Sequence, residues 1–287
     1  MKRIAWVILA AAACLAGCKS APPPPAPHPR IISYSPAVTD ILYDLGLGPH
    51  VIGVTGWCIV PEGFGPRVVG DVTNPNTEAI LALEPDLILI QQDPSKFESL
   101  RRQNPAIRVL SVKTDSVEGI LKSIGTIAQA AGVEAKGAEL AGGIRKRLDD
   151  LRRRWQGQPR PRVLFVMGFD HPGTVGKDTY LDELITIAGG QNVAEGLSKW
   201  PTINAEMIMN MKPDVLICQV NPGEGDNAMK YWQGLGAIPA VAHNRIYITT
   251  DKRMTIFGSR IADAAETLAR FIHAEPSTQP ATQGSAK

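Results

Sequence analysis

The chain has 287 residues, of which 44% are hydrophobic and 20% are charged, and its formal net charge is +2. A chain of this size and composition predicts one large or two modest globular domains, which excludes collagen-like, coiled-coil and wholly disordered proteins. Basic and acidic residues nearly balance, so the sequence provides no basic field of the kind that binds nucleic acid.

The first 17 residues have the pattern of a secretory signal peptide. Two basic residues precede an apolar run over residues 4–17, which is shorter than the roughly 18 residues of a membrane-spanning helix. The run closes as Leu-Ala-Gly followed by Cys18, which resembles the lipobox of bacterial lipoproteins. The resemblance implies that Cys18 is acylated and that the exported protein is lipid-anchored in the cell envelope. An ordinary signal peptide with an incidental cysteine is the alternative.

Two segments that flank the folded part contain little that could form a core. Six of the eight residues in 22–29 are proline, so residues 18–29 predict a stiff, extended tether. Residues 275–287 are rich in Pro, Ser, Thr and Gln and lack hydrophobic periodicity. They predict a disordered tail.

Between these segments, short apolar runs alternate with helical stretches, a pattern typical of α/β proteins. The predicted strands are 31–34, 51–55, 87–90, 108–112, 163–167, 215–218 and 246–249. The predicted helices are 37–45, 77–83, 117–131, 134–155, 179–188, 205–211 and 259–273. The helix over 134–155 contains no proline and would span about 33 Å.

One segment occurs twice. Residues 76–90 and 204–218 align at a constant offset of 128, and five of the 15 aligned positions are identical. In both copies a short helix is stopped by Pro-Asp, and a buried strand follows. The repeat predicts two Rossmann-like α/β lobes with small parallel sheets, 30–133 and 159–274, bridged by a single long helix in 134–158.

The residues after the tether resemble the opening of the cobalamin-binding periplasmic proteins. Residues 30–40 read Arg-Ile-Ile-Ser-Tyr-Ser-Pro-Ala-Val-Thr-Asp, and residues 51–58 read Val-Ile-Gly-Val-Thr-Gly-Trp-Cys. The repeated segments and the Phe-Gly-Ser-Arg of residues 257–260 fit the same pattern. The resemblance implies a substrate-binding protein that delivers cobalamin, haem or an iron–siderophore to the permease and ATPase of an ABC importer. It also implies two lobes joined by one rigid helix.

The resemblance places the ligand between the lobes, at loops that follow the strands. The residues expected to contact it are Tyr34, Trp57, Cys58, Phe169, Asp170, Trp200, Asp251 and Arg253. Flat aromatic side chains suit a planar macrocycle such as a corrin, and the charged residues suit its peripheral amides or phosphate. Core packing for the aromatic residues and solvated loops for the charged ones are the alternatives. Cys58 and Cys218 predict either a disulfide or two buried free thiols.

The resemblance also gives the repeated glutamates a role. Glu78 and Glu206 match the positions at which one exposed acid on each lobe pairs with arginines on the two copies of the permease. Equivalent charges on equivalent lobes suit a two-fold symmetric partner. The alternative is that each acid only stabilises the first turn of its helix.

Cobalamin fits the opening motif best, and haem or a ferric siderophore is the second choice of ligand. His171 keeps haem open because haem iron takes a His or Tyr ligand, whereas only Arg253 and Arg67 lie near loops that could meet an anionic siderophore. The scattered histidines argue against a bare-metal carrier. The sequence lacks the common hydrolase, phosphate-binding and metalloprotease motifs, so we expect no enzyme and no cofactor. We expect a monomer when the protein is free.

Overall fold

The computed structural model describes residues 28–71, 74–275 and 281–282. It contains two β-sheets, and a single long helix lies between them along the chain. This is the predicted α/β fold of two lobes joined by one helix. The predicted signal peptide, Cys18 and most of the tether lie outside the described residues.

The sheet of the N-terminal lobe has five strands in the order β3-β2-β1-β4-β5, and all neighbours are parallel. These strands are β1 (Ile31–Ser33), β2 (Val51–Val54), β3 (Arg67–Val68), β4 (Leu87–Ile90) and β5 (Arg108–Ser111). The helices of this lobe are α1 (Pro36–Asp44), α2 (Thr77–Leu81), α3 (Glu98–Gln103) and α4 (Val117–Ala131). The central strands β1 and β4 are buried throughout, because apolar clusters cover both faces of the sheet.

The sheet of the C-terminal lobe has the order β11-β10-β9-β6-β7, and β8 also pairs with β6. The pairing of β6 with β7 is antiparallel, and the other pairs are parallel. The strands are β6 (Arg162–Met167), β7 (Gly173–Thr174), β8 (Gln191–Asn192), β9 (Val215–Gln219), β10 (Ile246–Thr249) and β11 (Ala281–Thr282). The helices are α6 (Tyr180–Ile187), α7 (Ala205–Met211), α8 (Gly225–Gln233), α9 (Pro239–Ala242) and α10 (Ile261–Ile272).

The bridging helix α5 (Glu134–Trp155) has 22 residues, a length of about 33 Å at 1.5 Å per residue. Gly132 ends α4 in the left-handed conformation, at φ +70°, and so allows the chain to turn directly into α5. A buried stripe of Ile144, Leu148 and Leu151 packs α5 against helices of both lobes. None of the described helices combines the length and the apolar character needed to cross a membrane.

The two lobes share one apolar core. Leu121 of α4, Leu148 of α5, Phe165 of β6 and Leu268 of α10 all belong to the same buried cluster. Polar contacts join the lobes at a second place, where Ser259 Oγ donates a hydrogen bond to Asp44 Oδ2 over 2.7 Å. The lobes are therefore packed on each other as well as tied by α5.

Several elements differ from the predictions. The bounds of β4, β10, α4, α5 and α7 are those predicted, but α3, α8, α9 and the two-residue strands were missed because they are short or poor in periodic apolar residues. The tail predicted to be disordered contributes β11, which pairs in parallel with Tyr247 and Ile248. An edge strand such as β10 offers unpaired backbone groups to such a segment.

Candidate functional site

The carboxyl ends of the strands in both sheets carry the predicted ligand residues. In open parallel sheets these ends, and the loops that follow them, are where ligands bind. Here the loops after β1, β2, β4 and β5 belong to the N-terminal lobe, and the loops after β6, β9 and β10 belong to the C-terminal lobe.

Trp57 and Cys58 lie in the loop after β2. The Trp57 side chain is 71% exposed, which is unusual for a large aromatic residue in the absence of a binding partner. Cys58 is half-buried, and its Sγ lies 3.2 Å from Thr55 Oγ1. The loop therefore presents an apolar ring, with a small polar group behind it.

Tyr34 is packed in the core of the N-terminal lobe, which was the alternative to the ligand contact expected of it. The residue is fully buried, its hydroxyl donates to the carbonyl of Val69, and its ring packs edge-on against Phe97. Burial raises the pKa of Tyr34 to about 12. Tyr34 directly follows β1 and packs into the apolar core of the N-terminal lobe. It therefore supports the loops of the site through packing.

A row of neutral polar side chains, which the sequence interpretation missed, crosses the carboxyl edge of the N-terminal sheet. Ser35 Oγ donates to Gln91 Oε1, and Gln91 Nε2 donates to Thr114 Oγ1. These residues follow β1, β4 and β5, which are neighbours in the sheet but distant in sequence. Each of these residues comes shortly after a predicted strand, and this position was the signal that the sequence offered. Only the order of the strands in the sheet shows that the three side chains lie next to one another.

In the C-terminal lobe, the loop after β6 carries Phe169, Asp170 and His171. The Phe169 ring is only partly buried and packs against Tyr231 at 5.9 Å between centroids. Asp170 Oδ1 lies 2.9 Å from His171 Nδ1, and both side chains are exposed. His171 adopts a left-handed backbone, at φ +53°, a conformation that residues other than glycine rarely take.

Trp200 is 43% exposed and lies beside the same loop. Thr202 forms a β-bridge with Gly173, which brings the segment after Trp200 next to the residues that follow His171. The Trp200 ring is 6.0 Å from that of the buried Tyr180. The C-terminal lobe thus holds an exposed indole and an exposed imidazole on adjoining backbone segments.

Asp251 and Arg253 form a compact ion pair after β10. Arg253 donates from Nε and Nη2 to the two carboxylate oxygens of Asp251, at 2.8 and 2.9 Å. Burial alone would raise the pKa of Asp251, but the hydrogen bonds from Arg253 outweigh it and hold that pKa below its usual range. The pair stays charged at neutral pH, so it can offer both donors and acceptors to a polar ligand group.

A cavity of about 790 Å³ joins this ion pair to the N-terminal lobe. Ile59, two residues after Trp57, lines it together with Pro222, which follows β9, and with Arg253. Arg260, just before α10, and Asp263, Thr267 and Arg270 of α10 also line it. The loops after β2, β9 and β10 therefore border one cavity, and apart from Ile59 the residues that line it belong to the C-terminal lobe.

Cys58 and Cys218 are free thiols, so the alternative of a disulfide between them is wrong. Cys218 is buried in β9, and burial raises its pKa to about 12. Within the part of the chain that the structure describes, no three His, Cys, Asp or Glu side chains converge as metal ligands would.

Glu78 and Glu206 occupy matching places on the two lobes. Each lies in the first turn of a short helix, α2 or α7, and each is exposed. The preceding Asn76 and Asn204 cap these helices by accepting hydrogen bonds of 2.9 Å from backbone N–H groups three residues on.

Comparisons with known proteins agree with this geometry. A family model described as periplasmic binding protein matches residues 31–252. The chain is 29% identical over 253 residues to an uncharacterized ABC transporter substrate-binding lipoprotein, YvrC, of Bacillus subtilis (strain 168), covering 85% of this chain and 80% of the relative.

Two further matches name a ligand. A vitamin B12-binding protein of Yersinia pestis (strain Pestoides F) is 27% identical over 219 residues, 75% of this chain and 78% of the relative. The solved structure of the periplasmic heme-binding protein RhuT from Roseiflexus sp. RS-1 superposes with a TM-score of 0.73 at 25% identity, covering 86% of this chain and 98% of that one.

Proposed function

Because the chain belongs to the periplasmic binding protein family and is a substrate-binding protein of an ABC importer, we propose that it captures cobalamin or a related corrinoid between its lobes. It delivers this ligand to the permease and ATPase of the importer. Membership of a family of binding proteins also supports a binding role rather than a catalytic one.

The observation that carries this proposal is an exposed indole on each lobe, together with a row of neutral polar groups at the carboxyl edge of the N-terminal sheet. Trp57 and Trp200 offer flat apolar surface on opposite lobes, which suits the faces of a large macrocycle. Gln91 is partly exposed and is held in place by the buried Ser35 and Thr114. Its amide suits a corrin ring because the corrin periphery is rich in neutral amides. The Yersinia relative named for vitamin B12 supports the same ligand.

Haem is the second candidate, and the Asp170–His171 pair favours it. A carboxylate that accepts from Nδ1 of a histidine orients the ring and leaves Nε2 free to bind a metal. His171 Nδ1 has such a partner at 2.9 Å, and its ring is exposed. A similarity to the heme-binding protein RhuT supports this alternative.

Titration of the purified full chain separates the two ligands. We expect cyanocobalamin to quench tryptophan fluorescence and to raise the melting temperature, since a ligand that binds only the folded state stabilises it by mass action. Haemin serves as the parallel titration, with the Soret band as its readout. A response to haemin but not to cyanocobalamin would replace the corrinoid by haem as the ligand.

We further propose that Glu78 and Glu206 dock the two lobes onto the two halves of the permease. Both acids are exposed on equivalent helices, and rim charges of this kind orient docking more than they add affinity. Reversal of both residues to Lys should abolish uptake while leaving ligand affinity intact. Uptake that survives in the double variant would contradict the docking role.

We propose that Cys18 carries the lipid anchor, as its lipobox-like setting suggests. Mass spectrometry of the N-terminal peptide should find an acylated Cys18 in the membrane fraction. The Cys18→Ser variant should appear in the soluble fraction of the envelope, and its retention in the membrane would contradict the anchor.

A further inference from the structure

The repeated segments are alike in their contacts as well as in sequence. Of the five identical pairs, Asn76 and Asn204 cap their helices, and Ile80 and Ile208 are fully buried. The Pro-Asp pairs lie between these helices and the strands β4 and β9, which they directly precede. The fold thus accounts for four of the five identities.

The fifth identical pair is Glu78 and Glu206. Among the residues that the structure describes, neither carboxylate has an ion pair or a side-chain hydrogen bond. Their only intramolecular role is the modest one of an acid in a first helical turn. An exposed acid that is present in both copies and has no intramolecular ion pair in the described part of the chain is available to bind another protein.

One arginine in each lobe clamps the chain at or just beyond the end of the helix that bears this acid. Arg30, just before β1, donates from Nη2 to the carbonyl of Leu83 over 2.8 Å and from Nε to that of Glu84 over 3.1 Å. Arg162, which begins β6, donates from Nη2 to the carbonyl of Met211 over 2.6 Å and from Nε to that of Lys212 over 3.4 Å. The same guanidinium atoms bind carbonyls at matching repeat positions.

The backbone contacts around Arg30 and Arg162 are also alike in the two lobes. The N–H of Arg30 donates to Asp86 Oδ2 over 2.7 Å, and the N–H of Arg162 donates to Asp214 Oδ2 over 2.9 Å. Glu84 and Lys212, at matching positions, both have a left-handed backbone with φ +46°. These contacts recur although the clamps close loops of different length, 56 residues in one lobe and 52 in the other.

We infer that Arg30 and Arg162 are paired positioning residues that hold α2 and α7 in equivalent orientations, so that Glu78 and Glu206 are presented alike to a partner made of two equal halves. This inference rests on the docking role proposed above. The physical reason is that a short helix has few contacts of its own. A guanidinium fork bound to carbonyls at or just beyond the end of the helix ties that end of the chain to the first residue of, or the residue before, an inner strand of the sheet.

The first test is local and needs no partner. In the full chain, Arg30→Gln should speed amide hydrogen exchange in α2 and leave α7 unchanged, and Arg162→Gln should do the reverse. Arg108→Gln is the matched control, because Arg108 donates to the carbonyl of Ala130 at the end of α4 instead. Unchanged exchange in α2 and α7 would overturn the clamp.

The second test measures docking to the importer complex of the source organism in nanodiscs, without ligand and with saturating cyanocobalamin. Each single clamp variant should weaken docking about two- to fivefold, the range of one exposed ion pair, with the ligand affinity unchanged. On the Glu78→Gln background, Arg30→Gln should have no further effect, because it acts through that acid. Arg30→Lys serves as a second variant, since a lysine keeps the charge but cannot bind both carbonyls.

The outcomes separate the two proposals. If Glu78→Gln alone leaves docking unchanged, the docking role itself fails, and the role of Arg30 fails with it. If Glu78→Gln weakens docking but Arg30→Gln does not, only the role of the arginine fails. An equal effect of Arg30→Gln with and without the acid would also overturn it, because the arginine would then act elsewhere.

Discussion

At the scale of single residues, Asp40 shows how packing between the lobes shifts the pKa of a carboxyl group. This residue of α1 faces Gly258, and among the described residues no group hydrogen-bonds its buried Oδ2. Burial raises the pKa of Asp40 to about 6, and the charge of Arg260 only partly opposes that shift. The folded state therefore favours the protonated form of this carboxyl more than the unfolded chain does.

This pKa predicts a pH-dependent stability. Because the folded pKa lies above the unfolded value of 3.8, the contribution of Asp40 to stability is present at low pH and is lost as the pH rises through about 6. Between pH 4.5 and 7.5, the parent should lose about 2 kcal/mol of unfolding free energy relative to Asp40→Asn. Urea denaturation of both proteins at the two pH values checks this. Parallel pH profiles would contradict it, and the exposed Asp226→Asn is the control.

A second prediction at this scale separates binding from stability at tryptophan residues. Trp57→Ala should weaken ligand affinity at least about tenfold but change the unfolding free energy by no more than about 0.5 kcal/mol, because the ring is 71% exposed. Trp232→Ala is the contrasting variant. Its ring is fully buried, so it should lose about 3–5 kcal/mol of stability. Fluorescence titration and urea denaturation measure the two effects.

At the scale of elements, α5 combines a structural role with an imperfect helix sequence. Its buried stripe packs on both lobes, and Arg147 forms ion pairs with Asp263 and Glu266 of α10. These pairs are half-exposed, so solvent screening keeps their contribution small. The apolar stripe therefore accounts for most of the attachment of α5.

Two adjacent glycines weaken α5 near its middle. Gly142 and Gly143 are exposed, and a Cβ at either position would meet no atom within 4 Å. Replacing either by Ala should raise the unfolding free energy by about 0.5–1 kcal/mol, because alanine loses less backbone entropy on folding. Thermal and urea denaturation test this. A loss of stability would mean that the helix needs these glycines in order to bend.

At the scale of the whole molecule, the shared core and the second inter-lobe contact oppose a wide hinge motion. Gly258 packs so closely on α1 that a Cβ there would lie 2.8 Å from the carbonyl oxygen of Ala37. Ser259 and Arg260 both bind the carboxylate of Asp44, at 2.7 and 3.2 Å. Ligand binding should therefore close the cleft only slightly.

Small-angle X-ray scattering tests this rigidity. Saturation with cyanocobalamin should reduce the radius of gyration of the full chain by less than about 1 Å. Gly258→Ala, which must push α1 away, should allow a larger change than the parent shows. A shift of several ångströms in the parent would contradict a rigid pair of lobes.

The sequence by itself determined the α/β class, the two lobes, the bridging helix and the duplicated segment. These follow from local signals: apolar periodicity, Pro-Asp at the ends of helices, and the proline-free stretch of α5. The bounds of α4, α5 and α7 were predictable for the same reason. The exposed Trp57 and Trp200 were also accessible to sequence reasoning, because they lie in loops directly outside regular elements.

Only the tertiary structure decided which loops meet and which side chains point inward. Ser35, Gln91 and Thr114 form one row because β1, β4 and β5 are neighbours in the sheet, an order that no local pattern contains. Tyr34 faces the core because Val69 and Phe97, far away in the chain, complete its surroundings. The arginine clamps likewise join groups that lie 49 to 56 residues apart in the chain. Such contacts arise from packing between elements, and packing is a property of the whole fold.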